Sequence, residues 1–116
     1  MKAMGGNLRN GILNVSILDT NELYACFMPS VERGGLFLRT NKEYAMGEEV
    51  FVVLELMDEP DKVPLTGKIV WLTPLGCGSR PQGIGIQFSE EDLELSRKIE
   101  ASLAGLLDSD RPTHTL

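Results

Sequence analysis

The chain has 116 residues, 42% of them hydrophobic, a size and composition that suit one domain built on a single apolar core. Its formal net charge of -6 disfavours a nucleic-acid partner, because affinity for a phosphate backbone depends largely on Lys and Arg displacing counterions. No stretch approaches the roughly 20 apolar residues that span a bilayer, and Met1 to Asn10 carry no apolar run resembling an export signal; a cytoplasmic, monomeric protein is expected, without direct membrane insertion.

In chain order, Leu13, Val15 and Ile17 alternate with Asn14 and Ser16, the period of a half-buried strand. Asp19-Thr20-Asn21 reads as a turn, and a second strand is expected over Leu23 to Phe27, ended by Pro29, which cannot donate to a ladder. Gly34-Gly35 leaves the backbone free to take positive φ before the apolar run Leu36-Phe37-Leu38. Glu48 to Leu56 is a nearly continuous apolar strand. Val63 to Leu72 alternates and forms the simplest hairpin with it across Asp58-Glu59-Pro60-Asp61. After the turn-rich loop Pro74 to Pro81, Ile84, Ile86 and Phe88 alternate in a sixth strand.

The period then changes. Ser89 suits an N-cap, Glu90, Glu91 and Asp92 suit the positive end of a helix dipole, and Leu95, Ile99, Leu103 and Leu106 share one stripe, so a helix is expected over about 90 to 107. The domain is thus placed at 1–107, with 108–116 as a flexible C-terminal tail. Six short strands and one amphipathic helix predict a mainly β fold, a six-stranded antiparallel barrel with a C-terminal α-helix.

Catalytic and metal chemistry find little support in the composition. The only histidine, His114, lies near the end of the tail, Cys26 and Cys77 match no zinc or redox spacing, and the acids around Pro60 suit a solvated turn. Gly83-Ile84-Gly85 has no helix start after it and fits neither a dinucleotide nor a phosphate loop. No catalytic residue, cofactor or metal is therefore expected.

Arg9-Asn10-Gly11-Ile12-Leu13, Leu23-Tyr24-Ala25-Cys26-Phe27-Met28-Pro29 with Gly34-Gly35-Leu36-Phe37, and Ser109-Asp110-Arg111-Pro112-Thr113-His114-Thr115 together resemble the type IV pilus class of PilZ proteins. The resemblance covers essentially the whole chain, and it implies the same six-stranded barrel. Most PilZ domains bind cyclic di-GMP through an Arg-x-x-x-Arg segment and an Asp/Asn-x-Ser-x-x-Gly turn. Here the position four residues after Arg9 is Leu13, and the turn reads Ser30-Val31-Glu32-Arg33-Gly34-Gly35, with Glu32 at the serine position. A carboxylate there repels phosphate, so no appreciable cyclic di-GMP binding is expected.

What the resemblance then implies is a non-enzymatic adaptor in type IV pilus assembly and twitching motility. Its implied partners are a PilB-like pilus extension ATPase and a FimX-like EAL-domain cyclic di-GMP receptor; the alternative is a direct cyclic di-GMP receptor of the usual PilZ type. Aromatic and Met anchors favour Tyr24, Phe27, Met28 and Pro29 as a protein interface, and Arg111, Pro112, Thr113 and His114 of the tail as a second contact that orders on binding.

Overall fold

The structure, a computed structural model, describes residues 12–57, 59–76, 78–106 and 113–115. Five strands form one sheet: β1 (Leu13–Ile17), β2 (Gly35–Arg39), β3 (Glu49–Leu56), β4 (Val63–Thr73) and β5 (Gly83–Phe88), in the order β1-β3-β4-β5-β2. The β3–β4 hairpin is present, with Val52 opposite Leu65, and β5 pairs antiparallel with both β4 and β2. β1 runs parallel to β3, with Leu13 opposite Val52. The sheet is therefore a curled half-barrel of five strands, where six strands in a fully antiparallel barrel were expected.

The missing strand is a helix. Residues Thr20–Cys26 form α1, in place of the strand expected over Leu23 to Phe27. Asp19 supplies the cap: its Oδ1 accepts from the Glu22 backbone N–H at 2.8 Å, satisfying one of the free donors of the first turn. With the backbone wound, Leu23, Tyr24 and Phe27 share one side and are all buried. Among the described residues, this stretch keeps one isolated antiparallel bridge, between Phe27 and Leu36.

The core lies inside the curl. Leu36, Leu54, Ile86 and Phe88 are buried there, and the inward alternation read for β1 holds, with Leu13 and Ile17 buried; Phe37, opposite Gly85, is buried on the other face of β2. In β4 a bulge between Ile69 and Trp71 shifts the register against β5. This takes Trp71 off the inward face of Leu65, Gly67 and Ile69, where strict alternation places it.

One end is covered by a 3-10 turn (Glu90–Asp92) leading into α2 (Leu93–Ser102). The expected stripe is real: Ile99 and Leu103 are buried and Leu95 and Leu106 pack beside them. The start differs in detail. The Ser89 hydroxyl donates to the Asp92 carboxylate at 2.9 Å instead of accepting from the helix backbone. α2 ends at Ser102, and Gly105 takes a positive φ beyond it.

Thr113–Thr115, the described part of the segment expected to be a flexible tail, pack against the domain. The His114 backbone N–H donates to the Ala25 carbonyl at 2.9 Å, and Thr115 is 2% exposed. Arg80, from the loop before β5, donates to the carbonyls of His114 and Thr115. A polar segment docks here because its backbone groups find partners at the mouth of the curl. Arg111 and Pro112 lie outside the described residues.

Candidate functional site

Among the described residues polar groups gather at several places, two of which bear on the expected sites. The first is the turn before β2. Gly34 and Arg33 both take positive φ, at 83° and 68°. The turn is tied to β5 by three bonds: Arg33 Nε donates to the Phe88 carbonyl at 3.1 Å, Gln87 Nε2 to the Glu32 carbonyl at 3.0 Å, and the Phe88 N–H to the Gly34 carbonyl at 3.0 Å. Arg33 is thus turned onto the sheet. Glu32 points outward, its side chain 83% exposed, with the Arg33 guanidinium 3.9 Å from its carboxylate.

The second place is the seam of the curl. Among the described residues no ladder joins β1 to β2, and α1 crosses between these two edges. A cavity of about 210 Å³ opens there, lined by Asn14, Val15 and Ser16 of β1, Glu22 and Cys26 of α1, and Phe37 and Arg39 of β2. Glu22 and Cys26, four apart, meet on one face of the helix, and the Cys26 thiol donates to Glu22 Oε2 at 3.4 Å. His114 arrives from the C-terminal segment. Its ring lies 5.3 Å from the Phe37 ring, tilted by 48°, and its Nε2 lies 3.5 Å from Glu22 Oε2. Arg39 closes the cluster, with Nε 3.5 Å from Glu22 Oε2 and Nη2 3.4 Å from His114 Nε2.

The electrostatics here do not make a nucleophile. Burial, then the adjacent Glu22 carboxylate, pushes the Cys26 thiol far up, so it stays protonated at neutral pH. Among the described residues, Glu22, Cys26 and His114 nevertheless bring three side-chain donor atoms close enough to hold a metal ion.

The expected interface residues fall differently. Tyr24, Phe27 and Met28 are 5%, 2% and 4% exposed and are buried, Tyr24 on the inner side of α1 and Phe27 and Met28 where the chain leaves the helix beside β2; Pro29 is exposed. Thr113 and His114 are half-buried in the docked segment. Sequence reasoning missed Glu22, Arg39 and Arg80. Asp19-x-x-Glu22 was the available signal, since an acid three residues after an Asp cap marks a helix start.

A curled antiparallel-rich sheet capped by a helix, with polar turns at its rim, defines a small binding domain. The PilZ domain family model matches residues 12–105, and the chain belongs to that family. PilZ domains are generally non-catalytic binding domains with roles in cyclic di-GMP-related signalling or as adaptors. No curated protein matches the chain. No described helix is long and apolar enough to cross a membrane.

Proposed function

We propose that this PilZ domain is a non-enzymatic adaptor in type IV pilus assembly and twitching motility, working in the cytoplasm through protein contacts and not through a nucleotide of its own. The observation that carries the reading is the turn before β2. Glu32 holds an exposed carboxylate at the position where the usual motif has serine, and the turn's one guanidinium is tethered through Nε to the Phe88 carbonyl with Nη1 3.9 Å from the Glu32 carboxylate. A ligand phosphate entering this turn meets a carboxylate and a guanidinium that this carboxylate already attracts.

The pilus assignment rests on the resemblance of the segments Arg9 to Leu13, Leu23 to Pro29 with Gly34 to Phe37, and Ser109 to Thr115. The partners it implies are the PilB-like ATPase and the FimX-like EAL-domain receptor, the latter sensing the nucleotide. With Tyr24, Phe27 and Met28 inside the domain, the expected contact residues that still reach the surface, among those described, are Pro29, which is exposed, and Thr113 and His114, which are half-buried.

Isothermal titration of the purified chain with cyclic di-GMP is expected to be flat. Micromolar or tighter binding overturns the reading. Titrations with the purified ATPase and EAL domains test the other half, and failure of both to bind removes the pilus adaptor.

A further inference from the structure

We infer that Glu22, Cys26 and His114 form a zinc site that clasps the C-terminal segment to α1, beyond anything the adaptor reading requires. The three donor atoms, a carboxylate oxygen, the Cys26 sulfur and an imidazole nitrogen, lie within 4.8 Å of one another. Ligands held 2.0–2.3 Å from a tetrahedral Zn²⁺ are separated by about 3.3–3.8 Å. Two of the three edges already have that length: sulfur to Oε2 at 3.4 Å and Nε2 to Oε2 at 3.5 Å. The remaining edge closes by about 1 Å or less, a small rotation of one side chain.

The donor chemistry selects the ion. One sulfur, one imidazole and one carboxylate suit Zn²⁺, whereas Ca²⁺ and Mg²⁺ take oxygen ligands. A thiolate and a carboxylate balance the two positive charges. The thiol proton, now shared with Glu22, leaves to solvent as the sulfur binds the cation. Glu22 and Cys26 also line the seam cavity of about 210 Å³, which has room for a water as fourth ligand.

Arg39 is the cation now in the cluster. Its guanidinium faces the two atoms an ion would take, at 3.4 Å from His114 Nε2 and 3.5 Å from Glu22 Oε2. Its side chain is 57% exposed and can swing outward when an ion enters. The bond from the His114 N–H to the Ala25 carbonyl holds the imidazole at the site without an ion.

Titration of the reduced full chain with Co²⁺ is expected to give one equivalent bound, with a thiolate-to-cobalt charge-transfer band and the intense visible bands of a tetrahedral ion, both displaced by Zn²⁺. Glu22→Gln and His114→Ala should each weaken Zn²⁺ binding on the order of 10-fold or more, and neither depends on replacing the buried cysteine. Cys26→Ser should remove the charge-transfer band, Cys77→Ser should keep it, and Arg39→Gln should tighten binding by removing the competing cation. Absence of a one-equivalent complex, a band that follows Cys77, or affinity indifferent to both Glu22→Gln and His114→Ala overturns the site.

Discussion

Gly34 shows how one residue carries the turn before β2. Its φ of +83° is strained for any side chain, and a Cβ built there would lie 2.3 Å from Ser96 Oγ of α2. Gly34→Ala is therefore expected to cost roughly 1–3 kcal/mol, measured by urea unfolding. Adding Ser96→Ala should restore part of that loss, since the next side-chain neighbours lie at an ordinary 3.4 Å. A double mutant no better than the single would place the whole cost in the backbone. Tyr44 poses the opposite case. Its hydroxyl is buried without a hydrogen-bond partner among the described residues, and burial, then the Glu48 carboxylate, raises its pKa above the ordinary 10.0. The folded chain holds this proton where the unfolded chain releases it, so the contribution is full below pH 10.0 and is lost as the pH rises beyond it. Tyr44→Phe should leave neutral-pH stability unchanged or raise it by up to about 1 kcal/mol, and should flatten the alkaline decline. A loss above about 1 kcal/mol would show that the hydroxyl is bonded.

Among the elements, α1 is the most informative. Leu23, Ala25 and Phe27 alternate with Tyr24 and Cys26 in a short apolar run, and such a run suits a strand or one side of a helix equally well by periodicity. The cap decides it. Asp19→Ala removes the acceptor of the Glu22 N–H and is expected to cost about 1 kcal/mol, whereas Asp19→Asn, which keeps an acceptor, should cost only a fraction of that. Equal losses for the two would show that the cap bond contributes nothing. The β3–β4 hairpin, β5 and the α2 stripe were legible because each runs long enough to show its period. The parallel pairing of β1 with β3 was not, since nothing in a strand's own alternation names its neighbour. The seam cluster was hidden for a related reason. Glu22 and Cys26 meet only once residues 20–26 are helical, and His114 joins them only when the end of the chain is brought to the opening between β1 and β2. The turn at 30–35 was readable as a turn because its own residues are consecutive, but its bonds to Gln87 and Phe88 of β5 were not.

At the scale of the whole molecule, the question is what the C-terminal segment does for a curl that its own strands leave open between β1 and β2. Fixing the backbone of Thr113, His114 and Thr115 costs about 1–2 kcal/mol per residue. Against this stand the His114 to Ala25 bond, the Arg80 bonds to two carbonyls, the burial of Thr115 and the His114 ring against Phe37. Hydrogen bonds worth about 1 kcal/mol each and the buried side chains exceed the entropy only narrowly, leaving a net of about 1–2 kcal/mol. Deleting residues 113–116 is then expected to lower Tm by roughly 5–10 °C for a domain of this size, in the presence of a chelator so that no metal contributes. Arg80→Ala alone should reproduce part of the drop in the full chain and add nothing in the truncated one, because its carbonyl partners are gone. An unchanged Tm on truncation would mean that the segment rests on the domain without stabilising it, and that the opening between β1 and β2 is closed by α1 alone.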